Sequence, residues 1–565
     1  MRQGHWMTLI FSALVVTGCC PCLPVETRAA DVTFDPFMVE DGLHARILMA
    51  EDRREETALL ELIRHLSPGM TAGAVRMSHA SGRIPSLSAW RELHRRFGHR
   101  EDVRRALLYA IRYAEPPFPP TAVLPVLKTF PANRDLCETL FYLDSPEALS
   151  LALSMSQYQD TAAANLWRLQ KRIDPVILRD AYRRFPGQAV LSIVRLREHG
   201  IVTADDLEDL DWQTRAQGVV VCDDPLRFID DPVWQVRAAA LHRDIPPDRV
   251  RPLLHDDSPL VREAALGSYL RCGGDPQSLH LNMLTAMGCE TLLESTDDAA
   301  LAESVFTRGG IFSEVALPYL PEARKAFVLA SSFPDHAKIS FLERRLGLPR
   351  AVAWAADRFE ESHSAAALSF LLNQDEVAKE SLILRAGQIE GLRSILYDHG
   401  HLESAPRPAA DSLDGYRQIL SRLRDYRGFK IMTEKGVVSC RFNRRWAPLT
   451  CWNMIDLIGR NHFDGCRFHR VIAGFVTQGG DPTGTGSGGP GYRIRCELNP
   501  LRYDRPGVVG MALAGKDTGG SQFFITHAPA PHLNHKYTVF AEVISGLDVL
   551  FTLLKHDLIV DVSLW

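Results

Sequence analysis

Two periodicities divide this chain. From about Ala45 to about Gly415, Leu, Ala and Arg recur at helical spacing and strand-like alternation is scarce, so this stretch is expected to be α-helical. After Gly428 the pattern changes. Two short alternating runs flank Glu434-Lys435-Gly436 between Phe429 and Phe442 and predict a hairpin. Ala447-Pro448-Leu449-Thr450 then opens a helix that carries Trp452, Ile455 and Ile458 at its spacing. Short β-branched and aromatic runs at 467–472, 507–512, 522–526, 539–544 and 558–563 predict further strands. Many short strands with two helices suggest a closed antiparallel barrel.

Within the helical stretch a repeat shows in places. Asp230-Asp231-Pro232-Val233-Trp234-Gln235-Val236-Arg237-Ala238-Ala239 matches Asp256-Asp257-Ser258-Pro259-Leu260-Val261-Arg262-Glu263-Ala264-Ala265, and the Val-Arg pairs are 25 residues apart. Val75-Arg76 and Val103-Arg104 recur 28 apart. Aspartate caps orphan N–H groups and proline tolerates the first turn, so each copy opens a helix. Such units bury their apolar stripes only by stacking on one another. The pattern resembles HEAT repeats, in which the arginine ties one repeat to the aspartate of its neighbour. From about 285 to 415 no period is visible, and divergent repeats and a separate helical bundle both stay open. No catalytic constellation is found here, and a scaffold or partner-binding role is expected. The Pro-, Ala- and Ser-rich stretch 402–412 reads as linker.

A chain of 565 residues exceeds one core and implies several domains. Its 46% hydrophobic and 24% charged composition is globular. Met7–Val16 is an apolar run too short to span a bilayer, and Val16-Thr17-Gly18-Cys19 follows it. This end resembles a bacterial lipobox, which implies lipidation of Cys19. Ordinary cleavage near Thr27–Ala30 and an incorrectly assigned start are the competing readings. Cys19-Cys20-Pro21-Cys22 has redox-motif spacing but lacks a βαβ context. The other cysteines have no zinc-ligand spacing, and no disulfide connectivity follows from the sequence. Net charge is −5, unevenly spread: Leu420 onward carries 18 Lys+Arg against 12 Asp+Glu, the remainder 46 against 57. Opposite signs would draw the two parts together, although salt screens such attraction.

The chemistry concentrates near the carboxy terminus. Phe468-His469-Arg470-Val471-Ile472-Ala473-Gly474-Phe475-Val476-Thr477-Gln478-Gly479-Gly480-Asp481 is followed about 40 residues later by Gly520-Ser521-Gln522-Phe523-Phe524-Ile525-Thr526. In this order and spacing the pair resembles the signature segments of the cyclophilin-type peptidyl-prolyl cis-trans isomerases, over about Gly428–Trp565. The resemblance implies an eight-stranded closed antiparallel barrel capped by two helices. It implies that Arg470 donates toward the prolyl nitrogen, that Gln478 holds Arg470, and that Phe475, Phe524 and Leu533 form the apolar proline pocket. Val476 stands where the family usually has methionine, while Gln522 and Ala512 match positions that meet the substrate backbone. Leu513 replaces an asparagine, Tyr537 a histidine, and His532 the tryptophan on which cyclosporin binding depends, so drug sensitivity is put in doubt.

Two decoys lie beside these motifs. Gly484-Thr485-Gly486-Ser487-Gly488-Gly489 fits G-x-G-x-x-G, but Pro490-Gly491-Tyr492 continues the loop where a nucleotide site needs a helix. His527, His532 and His535 fit no strong metal motif. The expected organisation is a signal or lipobox region at 1–30, a HEAT-like α-helical solenoid at 31–400, a linker at 401–427 and a cyclophilin-like barrel at 428–565. The expected function is isomerisation of X–Pro bonds in secreted or envelope proteins, with partner binding on the helical repeats. No cofactor, metal or nucleic acid is expected, and the membrane enters only through the lipid anchor at Cys19. The rival reading is a proline-peptide binding module with little turnover. Arg470 and Gln478 favour the enzyme, because binding alone needs only the pocket.

Overall fold

The computed structural model describes residues 45, 46 and 48–50 and, apart from 114–116, 169–173, 197, 199, 282–283, 375–376, 378, 390–391, 400 and 402–408, residues 87–565. The expectations for residues 1–30, Cys19 included, and for Val75-Arg76 lie outside the described residues.

The described residues between 87 and 423 form short α- and 3₁₀-helices joined by turns. Side-chain caps set many of their starts: Asn133 accepts from Leu136 N at 2.7 Å, and Thr203 and Asp206 form a reciprocal capping box. Of the arginines singled out in the sequence, Arg237 makes the expected tie to an aspartate further along, Arg104 instead donates to the carbonyls of Gly98 and His99, and Arg215, not singled out, makes a second tie. Asp231 accepts both Nε and Nη2 of Arg215, at 2.9 and 3.2 Å, while capping Val233 N at 2.8 Å. Asp256 accepts Nε and Nη2 of Arg237, at 2.7 and 2.8 Å, and Ser258 N at 2.8 Å. Arg237 and Arg262 also donate to the carbonyls of Asp231 and Asp256, at 2.7 and 2.6 Å. One carboxylate thus starts its own helix and binds the preceding one.

The carboxy-terminal region is a single curled antiparallel sheet. Its strands are β1 Gly428–Thr433, β2 Gly436–Phe442, β3 Arg470–Ile472, β4 Val476–Gly479, β5 Val508–Met511, β6 Phe523–Thr526, β7 Val539–Ser545 and β8 Ile559–Leu564, in the order β3-β4-β6-β5-β7-β2-β1-β8. Register shifts in the β1–β8, β2–β7 and β5–β7 ladders bend it. The closed barrel expected from the sequence is not what the ladders form. They stop at β3 and β8, and the gap is crossed only by an isolated bridge between Arg467 and Leu558 with flanking bonds such as Ile559 N to Cys466 O at 2.8 Å. The hairpin and the helix Pro448–Gly459 fall where expected, and a four-residue helix, Leu547–Leu550, is the second helix. β4, only four residues long, gives no separate strand signal in the sequence.

Alternation along β5 and β6 serves two clusters. Val509, Met511, Phe523 and Ile525 point into the main core, whereas Val508 and Phe524 point to a second apolar cluster on the other face. The segment expected as linker contains the helix Leu413–Leu423. Its Tyr416, Ile419, Leu420 and Leu423 recur at helical spacing and are buried in the core of the sheet. The Pro- and Ser-rich start of the segment obscures this apolar face.

The helical region also packs on the sheet directly. Leu260 joins the sheet's core, and the Trp234 ring lies 5.4 Å from Phe551 and 6.2 Å from His527, both edge-on. Glu290 meets Lys555 at 2.8 Å and His556 at 2.9 Å. Glu138 meets Arg502 at 2.5 Å and buried Arg112 at 3.3 Å. The acidic surplus of the helices and the basic surplus of the sheet therefore meet in ion pairs. The eight cysteines of the described residues are unbridged, and no described helix is long and apolar enough to cross a membrane.

One buried acid predicts a pH effect. Burial pushes the Glu263 carboxyl up to about 7, against the opposing pull of the Thr285 hydroxyl, Arg262 and Lys435. The folded chain then holds this proton above the pH at which the unfolded chain releases it. Stability from this group falls as pH rises from about 4.5 to about 7, by roughly 3 kcal/mol. E263Q, which keeps an acceptor for Thr285, is expected to flatten that fall. Thermal unfolding at pH 5 and pH 8 checks it, and an unchanged pH dependence would refute it.

Candidate active site

The register of the sheet assembles the candidate residues. Arg470 opens β3 and faces Gln478 on β4, which faces Phe524 on β6, which faces Gly510 on β5. Residues paired across a ladder share a face, so these four form one row on the side away from the main core. Gly510 ends the row for a steric reason. A Cβ there would lie 2.2 Å from Tyr503 Oη and 2.4 Å from Phe524 Cζ, so only glycine lets the two rings lie over the strand.

A polar chain runs along the row. Arg470 Nη1 donates to Gln478 Oε1 at 3.4 Å, and Gln478 Nε2 donates to Gln522 Oε1 at 3.1 Å. Gln522 Nε2 in turn donates to the carbonyls of Gly486 and Gly488, each at 2.8 Å. The glycine loop presents those carbonyls because Asp481 gathers it, accepting from Thr483 N at 2.7 Å and Gly486 N at 2.5 Å. Gly484 and Gly486 sit at φ 70° and 90°, which suits glycine. The G-x-G-x-x-G segment therefore buttresses a glutamine, and the chain continues from it as loop.

An apolar hollow lies beside the polar chain. Val476, Phe524 and Leu533 are buried together with Tyr503, Val508, Ala530 and Val539, and Phe475, Ala512 and Tyr537 pack on them half-buried. Phe524 meets Tyr537 edge-on at 5.6 Å. The ring of His532 stacks on Phe475 at 5.4 Å and 25°. The exposed Arg470 guanidinium is 5.6 Å from the Phe475 ring centre. Leu513 lies apart from the hollow and, with Gln478, Ala512 and Gln522, lines an adjoining cavity of about 130 Å³. All eleven residues expected at the prolyl site are thus in one neighbourhood: Arg470 and Gln478 at its polar edge, Phe475, Val476, Phe524, Leu533 and Tyr537 in or against the apolar cluster, Ala512, Leu513 and Gln522 along one side, and His532 stacked on Phe475.

The three histidines diverge. His527 is buried, shares a 2.6 Å hydrogen bond with Thr477 Oγ1, and is pushed by burial down to about 3. His535 turns toward Glu138 at 3.5 Å. His532 is lowered to about 4 by burial, helped by the positive fields of Arg195 and Lys536, and so stacks as a neutral ring. Among the described residues no group of three or more His, Cys, Asp and Glu side chains is arranged for a metal.

Sequence reasoning missed several participants. Asp481 and Gly510 shape the site, and Asp481 lies inside the first motif, where its capping role had a readable signal. Ala473, next to Phe475, packs against the helical cluster of Trp234. The helical region thus borders the site, and no local pattern announces that.

The arrangement can do one kind of chemistry without covalent steps. A cation donor stands beside an apolar cluster, steadied by an amide chain. Residues 428–561 match the family described as cyclophilin type peptidyl-prolyl cis-trans isomerase/CLD. Over 137 residues the chain is 46% identical to peptidyl-prolyl cis-trans isomerase B of Bacillus subtilis (strain 168), covering 24% of this chain and 95% of that protein. It is 47% identical over 133 residues to a peptidyl-prolyl cis-trans isomerase of Helicobacter pylori (strain ATCC 700392 / 26695), covering 23% and 81%. It is 51% identical over 126 residues to peptidyl-prolyl cis-trans isomerase-like 1 of Rhizopus delemar, covering 21% and 76%. Through its carboxy-terminal quarter, the chain belongs to the cyclophilin-type peptidyl-prolyl cis-trans isomerases.

Proposed function

We propose that this chain isomerises X–Pro bonds in secreted or cell-envelope proteins, with HEAT-like helical repeats holding the isomerase and a partner. The peptide barrier of about 18–20 kcal/mol comes from nitrogen lone-pair delocalisation into the carbonyl. In the twisted transition state the nitrogen regains its lone pair and becomes an acceptor. The apolar hollow of Phe475, Val476, Phe524 and Leu533 seats the ring. The Arg470 guanidinium, always charged and a rigid donor, then gives a hydrogen bond to the nitrogen that is strongest only when the bond is twisted. Gln478, fixed by Gln522 and the glycine carbonyls, keeps Arg470 from swinging away. The observation that carries this reading is the Arg470–Gln478–Gln522 chain alongside that hollow.

A protease-coupled assay on the full chain tests it. Acceleration of cis-to-trans conversion of an Ala-Pro peptide is expected, and binding without acceleration would leave only the peptide-binding reading. Envelope location rests on the apolar run before Cys19. If Cys19 carries diacylglycerol plus an amide-linked chain, two acyl groups give stable membrane attachment. Radioactive palmitate should then label the protein, and C19S should abolish the label. A mature protein beginning near Ala30 or Asp31 would show a soluble secreted form.

A further inference from the structure

Where the helical region borders the active site, the two parts enclose a cavity of about 460 Å³. Its walls are Arg112, Tyr142 and Arg168 from the helices and, from the sheet region, Leu513, Lys516, Lys536 and Tyr537 among others. Four of these side chains are cationic, and no Asp or Glu lines the cavity. Two of its residues are shared with the prolyl site. Tyr537 packs edge-on against Phe524 of the apolar hollow, and Leu513 lines the cavity beside Gln478 and Gln522.

Arg112 is neutralised by Glu138 and Asp135. Arg168 and Lys536 have no carboxylate partner among the described residues. Arg168 is nevertheless held in place. Its guanidinium lies 4.1 Å from the Tyr142 ring and 4.4 Å from the Trp167 ring, and its Nε donates to Asn165 Oδ1 at 2.9 Å. The Arg195 guanidinium approaches the same Trp167 ring at 5.3 Å, which sets a third cation beside them. Like charges crowd here at a cost. After burial, the fields of Arg168 and Arg195 lower Lys536, and Arg168 lowers Arg195. A fixed, partly desolvated guanidinium whose Nη groups meet no carboxylate among the described residues suits a bidentate carboxylate.

We propose that this cavity is a specificity subsite that takes the carboxylate of an Asp or Glu side chain lying close to the proline of the client peptide, with Arg168 and Lys536 as its ligands. The inference rests on the isomerase reading of the neighbouring site. An extended peptide advances about 3.3–3.6 Å per residue, so a side chain a few positions from the proline spans the interval between neighbouring cavities. Both regions of the chain contribute, which gives the helical region a part in choosing substrate. An isolated cyclophilin domain lacks half of the subsite.

The test uses the full chain and peptides of equal length with one Ala-Pro bond. Each carries Glu, Gln or Lys at one position within three residues on either side of the proline. At one position Glu should exceed Gln in kcat/KM by about 10-fold or more at low salt, the size of one charge-assisted hydrogen bond, and the preference should shrink as salt rises. Lys there should be disfavoured. R168Q, K536Q and the double variant should bring the Glu-to-Gln ratio toward one, and K536R should retain it. Lys536 is exposed, so K536Q remains informative if R168Q does not fold. Equal rates for Glu and Gln at every position would overturn the subsite while leaving the isomerase intact. If no peptide turns over, the isomerase reading fails instead. Equal affinity for Glu and Gln peptides by fluorescence anisotropy would then refute the subsite separately.

Discussion

R470A should lower kcat/KM for an Ala-Pro peptide by about 100-fold or more, the usual effect of removing one donor directed at developing transition-state charge. The fold should be untouched. Arg470 is exposed at the first residue of β3, and among the described residues its one side-chain hydrogen bond is the 3.4 Å contact to Gln478. R470K is expected to recover little, because an ammonium lacks the planar fork that satisfies nitrogen and Gln478 together. Q478A should act through Arg470, with a smaller loss confined to kcat, since the apolar hollow that binds the ring is unchanged. Peptide affinity measured separately distinguishes the roles: R470A should bind about as well as the wild type. Full turnover in R470A would remove Arg470 from the mechanism.

The second large effect is on the union of the two regions. Glu138 is almost wholly buried between Arg112, Arg502 and His535. Burial alone would raise its carboxyl, but the two guanidiniums and His535 outweigh it and hold Glu138 well below the usual carboxylate range. E138Q should cost about 3–5 kcal/mol, because among the described residues it leaves the fully buried Arg112 with Asp135, at 3.7 Å, as its one carboxylate, and strips Arg502 of its carboxylate partner. The loss arises from stranded cations rather than from the intrinsic worth of the pair. R502Q should cost less, since Arg502 is partly exposed and Arg112 keeps both acids. Because the folded carboxyl is depressed, its contribution is fully present above the unfolded value near 4.5 and fades as pH falls toward the folded one. Urea unfolding should show the sheet region separating from the helices in E138Q. A loss under about 1 kcal/mol would place the pair among the weak surface bridges.

Much of the site was legible because its chemistry is carried by two short segments. Arg470, Phe475 and Gln478 sit within nine residues, and Gln522 and Phe524 within three. β-Strand alternation then obliges alternate side chains to share a face, so segment and site nearly coincide. Local pattern equally placed the β1–β2 hairpin, the helix from Pro448 and the arginine–aspartate tie of Arg237. Each of these depends on residues within a turn or one repeat.

Partners distant in sequence were not legible. Alternation reveals which face of a strand is apolar and says nothing of which neighbour covers it. The sequence suggests a closed barrel, while the ladders end at β3 and β8, where a single isolated bridge and a few flanking bonds join the edges. The helix Leu413–Leu423 looked like linker because its value lies in an apolar stripe whose target is the sheet core. The decisive case is Glu138 and Arg502, joined across 364 residues. Either side chain alone reads as an ordinary surface charge. Only when the regions dock does each lose water, gain a partner and bring Arg168 beside Lys536, because desolvation is a property of the assembled volume and not of any stretch of chain.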